Sequence, residues 1–215
     1  MIRAVIFDFD GTLADTAMGI VSTMYQTFRE LELPLPSEAA IRDTIGLPLA
    51  QAMQILQGLD AEHGEAAASV YRRLFPSVGI HLVTFFPGVH DVLKALNSKG
   101  IRVAIATSRG TPSLVEILAN NHASDLVETF VTSSDNLPPK PSPGLVLALL
   151  ERMGLDAGEV LVVGDTTFDI EMGNSAGCRT CAVTYGNHSR EKLMTASPTY
   201  IIDAFPQLAD VVAAC

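Results

Sequence analysis

Two carboxylates one residue apart close the first apolar run of the chain, Val5-Ile6-Phe7-Asp8-Phe9-Asp10, and Gly11-Thr12-Leu13 follows at once. In a strand, alternate side chains share a face, so Asp8 and Asp10 can leave the strand end on the same side. Like charges held close repel, and the common reasons to keep them together are a bound cation or a shared proton. Asp10-Gly11 alone is an ordinary turn pair. Turn chemistry does not explain Asp8, which interrupts the apolar run.

Three more apolar runs lead into residues that can do chemistry. Residues 101–107 end in Thr107-Ser108-Arg109-Gly110, residues 129–133 are followed by Lys140-Pro141-Ser142-Pro143, and residues 160–164 end in Gly164-Asp165-Thr166-Thr167-Phe168-Asp169. In open α/β sheets ligands bind beyond the carboxyl ends of the strands. The pattern therefore projects carboxylates, hydroxyls and one lysine to one edge.

That set suits phosphoryl transfer. Asp8 supplies a carboxylate nucleophile able to form an acyl phosphate. Asp8, Asp165 and the backbone carbonyl of Asp10 offer hard oxygen ligands for Mg²⁺, which lowers the repulsion between nucleophile and phosphate. Lys140 neutralises phosphoryl charge, and the hydroxyls of Thr107 or Ser108 donate to the phosphoryl oxygens. Asp10 can protonate the leaving alcohol and then deprotonate the water that opens the acyl phosphate. Arg109 has two readings, on the phosphate or solvated at the surface, and the second is the ordinary one for an isolated arginine.

The elements that must position these groups follow from the hydrophobic pattern. Residues 3–9, 101–107, 129–133, 160–164, 180–184 and 200–203 read as short strands, and their near-continuous apolar character indicates burial on both faces of a parallel sheet. Residues 89–99 carry Val89, Val92, Leu93 and Leu96 at the spacing of one helical face, with Gly100 as a C-cap. Residues 112–121, 142–153 and 169–176 serve as further crossovers. The alternation gives an α/β fold with a doubly wound parallel sheet. It fails between residues 16 and 83, where 17–31, 49–56 and 66–75 read as helices without a strand. The expected division is an α/β core from residues 1–15 and 84–215, with an all-helical cap of residues 16–83 inserted after the first strand.

Composition bounds the function classes. The 215 residues carry a net charge of −10, with 48% hydrophobic and 18% charged residues. The composition is globular, and the acidity argues against a nucleic-acid partner. No apolar run is long enough to cross a bilayer and no signal-peptide pattern opens the chain, so the expected location is cytoplasmic, without a membrane partner. Cys178-Arg-Thr-Cys181 is formally C-x-x-C, but it leads into a strand instead of opening a helix, and reduced structural thiols are the expectation.

Asp8-x-Asp10-Gly-Thr-Leu, Thr107-Ser108, Lys140-Pro and Gly-Asp165-x-x-x-Asp169 together resemble the four ordered motifs of the haloacid dehalogenase-like hydrolase superfamily, across essentially the whole chain. The resemblance implies a Rossmann-like core with a small helical cap, Asp8 as nucleophile, Asp10 as general acid/base and Asp165 as a Mg²⁺ ligand. It leaves Asp169 either as a metal ligand or as a partner one step removed. An acid at position 10 separates phosphatases and phosphomutases from the dehalogenases, which lack one, and from the transport ATPases, which have Thr there. Ser108 departs from the Asn common in relatives.

Within the superfamily, Thr44-Ile45-Gly46-Leu47-Pro48-Leu49 resembles the specificity loop of phosphoglycolate phosphatase-like and pyrophosphatase-like members, although helix packing explains it equally. The sugar phosphomutase branch usually has a basic residue in this loop, and here Leu47, Pro48 and Leu49 stand in its neighbourhood. A carboxylate-bearing substrate would draw a cation from Arg42, Arg72 or Arg73. The five histidines have no metal-site spacing and most of them read as surface or helix-end residues, while Met18, Met53 and Phe75 read as cap core. The expected activity is Mg²⁺-dependent hydrolysis of a small phosphorylated metabolite by a monomer or homodimer, with a sugar phosphomutase, a pyrophosphatase and, remotely, a non-catalytic Rossmann-like binding module as alternatives.

Overall fold

Eight strands occur among residues 1–214, the residues described by the computed structural model: β1 (Ala4–Phe7), β2 (Ala14–Asp15), β3 (Thr84–Phe85), β4 (Arg102–Ala106), β5 (Thr129–Val131), β6 (Val160–Gly164), β7 (Arg179–Val183) and β8 (Tyr200–Ile202). Six of them form one sheet in the order β5-β4-β1-β6-β7-β8. Every neighbouring pair in it is parallel. The chain builds outward from β1 through β4 to β5, then returns to the other side of β1 for β6, β7 and β8. This is the doubly wound order, and the reversal leaves a crevice at the carboxyl ends of β1, β4 and β6.

Alternation along β1 explains both layers. Val5 and Phe7 join a cluster with Leu93, Leu96 and Phe205 on one face. Ala4 and Ile6 join Leu145, Val146 and Leu149 on the other. Each fully buried Leu, Ile, Val or Phe side chain contributes about 1.5–3 kcal/mol relative to exposure. Helices α1 (Ala17–Glu30), α2 (Glu38–Asp43), α3 (Leu49–Gln57) and α4 (Ala61–Val78) lie between β2 and β3 in the chain. The remaining helices, α5 (Val89–Ser98), α6 (Thr111–Asn120), α7 (Gly144–Met153), α8 (Thr167–Ser175), α9 (Arg190–Met194) and α10 (Leu208–Ala214), flank the main sheet or follow it.

The six expected strands are present, with ends shifted by up to two residues, and α5, α6, α7 and α8 match the expected crossovers. The pattern missed β2 and β3, which pair antiparallel, Ala14 with Phe85 and Asp15 with Thr84. Two-residue strands carry no period to detect, yet this pair ties the two ends of the helical segment together. α2, α9 and α10 were also missed, each of five to seven residues. Met18 corrects one expectation: it is 51% exposed, because it points away from the buried face of α1. Met53 and Phe75 are buried as expected. Cys178 and Cys181 are buried thiols.

Candidate active site

Asp8 is the first residue beyond β1, and its backbone N–H still donates to the Val163 carbonyl of β6 at 2.9 Å. The ladder thus carries the carboxylate to the crevice before the chain turns. Lys140 arrives from the loop after β5, fully buried, and its Nζ donates to Asp8 Oδ1 at 2.5 Å and to Asp169 Oδ1 at 2.6 Å. Burial opposes the Lys140 charge, but the two carboxylates outweigh it and raise its pKa above the usual lysine range. Asp169 is held by its own helix end: Oδ2 accepts from the Thr166 backbone N–H at 3.0 Å and the Thr166 hydroxyl at 2.7 Å, a capping box at the start of α8.

Asp165 sits opposite, at the end of β6. Its Oδ1 accepts from the Thr12 hydroxyl at 3.0 Å, and its Oδ2 accepts from the Asn187 backbone at 2.7 Å and side-chain amide at 2.8 Å. Backbone passes so close that a Cβ on Gly11 or Gly186 would collide with this carboxylate, and Gly11 also has φ +91°. Burial, reinforced by Asp169, pushes the Asp165 pKa up to about 7 against these hydrogen bonds. Burial likewise raises Asp8 well above the carboxylate range; Lys140 opposes, and Asp169, Asp165 and Asp10 add to the rise.

One oxygen from each of Asp8, Asp165 and Asp169 lies within 4.8 Å of the others. Asp8 Oδ2 is buried without a hydrogen-bond partner. An unpaired carboxylate oxygen among hard oxygen donors, pushed towards protonation by burial, fits a small divalent cation such as Mg²⁺. Asp165 and Asp169 each accept three hydrogen bonds, from Thr12 and Asn187 and from Lys140 and Thr166, so the one unpartnered oxygen of the three carboxylates belongs to Asp8.

The loop after β4 departs most from expectation. Thr107 is buried, and its Oγ1 accepts from the Arg109 N–H at 3.1 Å. Ser108 does not offer its hydroxyl hydrogen to the crevice: it donates to the Gly46 carbonyl at 2.6 Å. A hydroxyl has one hydrogen, and here Ser108 spends it on Gly46. The surface reading of Arg109 is corrected. Its side chain is 7% exposed and bonds Asp10, with Nε 3.1 Å from Oδ2 and Nη2 2.5 Å from Oδ1, while Nη1 donates to the Ser113 hydroxyl at 2.7 Å. The guanidinium also lies over the Phe75 ring, 4.7 Å from its centroid. Burial works against its charge, but Asp10 prevails and holds its pKa above the ordinary arginine value.

These groups open onto a cavity of about 630 Å³. Asp8, Asp10, Thr107, Ser108 and Arg109 form its floor, and Ile20, Met24, Leu47, Pro48, Tyr71 and Phe75 are among the residues of its wall. Thr44 to Leu49 therefore line the cavity, and Phe75 is both core and wall. The expected cap cations are each paired with an acid: Arg42 with Glu38 at 2.8 Å, Arg72 with Glu65 at 2.5 Å in the cavity wall itself, and Arg73 with Glu30. His188 is buried, and its Nδ1 accepts from the Thr167 N–H at 3.0 Å. Burial lowers its pKa to about 4.

Asn187 is the site residue that sequence reasoning missed. It stands in Tyr185-Gly186-Asn187-His188, just beyond β7, and the rule that ligands gather at carboxyl strand ends points to it as much as to the other loops.

Comparison with known proteins agrees with this geometry. The family model described as haloacid dehalogenase-like hydrolase matches residues 5–183. The chain is 37% identical over 211 residues to the "Probable phosphatase IndB" of Dickeya dadantii, covering 95% of this chain and 90% of that one. It is 30% identical over 216 residues to a phosphoglycolate phosphatase of Yersinia pestis, covering 98% and 93%. Among solved structures, the haloacid dehalogenase-like family hydrolase SP0104 of Streptococcus pneumoniae superposes with a TM-score of 0.85 at 27% identity, covering 100% of this chain and 99% of that one.

Proposed function

The chain belongs to the haloacid dehalogenase-like hydrolases, as a phosphatase, and from that premise we propose that it is a Mg²⁺-dependent phosphomonoesterase of the phosphoglycolate phosphatase type, working through an aspartyl phosphate on Asp8. The observation that carries the reading is the state of Asp8. One oxygen is fixed by Lys140, and the other is buried and unpaired beside Asp165 at the floor of the cavity.

Asp8 attacks phosphorus while the ester oxygen departs. Lys140 holds the nucleophile in place and offsets the negative charge gathered around it, and Asp169 holds Lys140. Asp10, two residues on and ion-paired with Arg109, must give up one of those contacts and take up a proton before it can act; it then protonates the leaving oxygen and later takes a proton from the water that attacks the acyl phosphate. The Thr107 hydroxyl, which accepts from the Arg109 N–H and keeps its own hydrogen free, donates to the phosphoryl oxygens. Asp8, Asp165 and the Asp10 carbonyl would hold Mg²⁺, with Thr12 and Asn187 orienting Asp165. When bound, the cation neutralises charge on nucleophile and phosphate. Residues 16–83 serve as the cap, whose wall excludes water from the acyl phosphate.

Phosphate release from a panel of phosphometabolites in Mg²⁺ tests the reading, with Asp8→Asn as the control. Turnover that depends on both Asp8 and Mg²⁺, together with an alkali-labile phosphoenzyme, is the expected result. Equal release by wild type and variant overturns it. The apolar Leu47-Pro48-Leu49 segment of the wall supports hydrolysis over phosphate shuttling between sugar hydroxyls.

A further inference from the structure

Two cations line the cavity among the described residues, Arg72 and Arg109. Arg72 is half exposed and paired with Glu65. Arg109 is buried, and its plane is set by three constraints: Asp10, Ser113 and the Phe75 ring. Nε, one hydrogen of Nη2 and one of Nη1 meet these polar partners. A guanidinium carries five N–H groups, so donors on Nη1 and Nη2 remain.

The position of the guanidinium says which half of a substrate it meets. In the mechanism proposed above Asp10 protonates the leaving oxygen after giving up one of its contacts to Arg109, so the guanidinium lies beside the acid that serves the leaving group. Arg109 therefore stands on the leaving side of the nucleophile. The transferred phosphoryl oxygens face Thr107 and the cation site instead. Beyond Arg109 the wall is mixed: Ile20, Met24, Leu47 and Phe75 are apolar, while Glu65, Arg72 and Glu116 carry charge.

We propose that Arg109 selects the substrate by binding an oxyanion, a carboxylate or a second phosphate, carried by the leaving half close to the scissile bond. A planar fork suits such a group, and a buried one suits it better than the exposed arginines of the helical segment. The proposal rests on the phosphatase reading above. It moves the anion-reading role from Arg42, Arg72 and Arg73 to a residue of the β4 loop, and it leaves the mixed wall to read the remainder of the alcohol.

The test compares kcat/KM for phosphoglycolate, inorganic pyrophosphate and 2-hydroxyethyl phosphate, which keeps the size of phosphoglycolate without its carboxylate. The wild type is expected to favour at least one anionic substrate by about tenfold or more over 2-hydroxyethyl phosphate, the value of one charge-assisted contact. Which anionic substrate wins tells carboxylate from phosphate. Arg109→Met should lower that ratio at least about tenfold, and Arg109→Lys, which keeps charge but loses the fork, about threefold or more. If the Met variant does not fold, the Lys variant decides alone. A wild-type ratio near one in both comparisons, or variants that lower all three substrates alike, overturns the proposal. Asp8-dependent release of phosphate from p-nitrophenyl phosphate is measured alongside: its absence defeats the phosphatase reading itself, and its presence isolates the failure to Arg109.

Discussion

The Ser108 hydroxyl and the Gly46 carbonyl, 62 residues apart in sequence, share a 2.6 Å hydrogen bond that joins the loop after β4 to the loop between α2 and α3. Gly46 also lies against the core: a Cβ there would come 3.4 Å from Thr166 and 3.5 Å from Phe168. Ser108 thus acts on how the helical segment seats over the site. Ser108→Ala should raise KM about two- to tenfold, the worth of one neutral hydrogen bond, while kcat stays within a factor of about two. A hundredfold fall in kcat at constant KM would restore the phosphate contact that the sequence suggested.

Metal binding should become more stabilising as pH rises. Asp8 and Asp165 have raised pKa values, Asp165 about 7, so the metal-free native state holds protons that the unfolded chain has released above pH 4. Those two groups therefore cost the metal-free fold stability as pH rises from about 4 towards 7. A divalent cation binds the deprotonated carboxylates and displaces the protons. The Tm difference between Mg²⁺ and chelator should be larger at pH 8 than at pH 5. A difference that does not change with pH counts against carboxylate ligation. His188, lowered to about 4, acts oppositely, with stability lost as pH falls from about 6.5 through 4, but it is common to both conditions and cancels in the difference.

Asn187→Ala should weaken Mg²⁺ about tenfold or more, because it removes the side-chain amide that orients Asp165 Oδ2 and leaves only the backbone N–H to do so. Titration of activity against Mg²⁺ reads this directly. Saturating metal should recover most of the turnover, and a loss that metal cannot reverse would indicate a different role.

Asp8→Asn and Asp10→Asn should differ in kind. The first abolishes the phosphoenzyme. The second slows its formation and its breakdown, by roughly 10²–10⁴-fold in turnover, with Mg²⁺ affinity changed little because Asp10 would reach the cation through its carbonyl. Rapid-quench trapping of phosphoenzyme separates the two. Identical behaviour of the variants would merge the roles assigned to the pair.

Lys140→Met should destabilise the metal-free protein by about 3–5 kcal/mol, since Asp8 and Asp169 are left facing one another without their shared cation. Adding Asp169→Asn should recover part of that stability in a denaturant melt and none of the activity. A double variant no more stable than Lys140→Met would show that the two contacts are not coupled.

Legibility of the chain followed the range of the signal. β6 was read to the residue because Val160-Leu161-Val162-Val163 is buried on both faces and needs no partner to be recognised. α5 was read from four apolar positions on one face. β2 and β3 were not, since a two-residue strand exists only through its partner 70 residues away, and periodicity cannot see that. Arg109 was misjudged for a similar reason. Nothing near it in sequence announces a buried arginine; Asp10 and Phe75, its partners, come from the first strand end and from α4.

By itself the sequence determined the doubly wound α/β sheet, the helical interruption after β1 and the set of groups at the strand ends, Asp8, Asp10, Thr107, Lys140, Asp165 and Asp169. Those follow from local patterning and from the rule that parallel strands deliver their carboxyl ends to one edge. The tertiary structure decided how that set is shared out. It gave both oxygens of Asp169 to Lys140 and Thr166, turned Ser108 to Gly46, locked Arg109 onto Asp10 and brought Asn187 to Asp165. Each is a pairing between residues whose separation along the chain carries no information about their separation in space, and a hydrogen bond has only as many partners as the folded geometry leaves within about 3 Å.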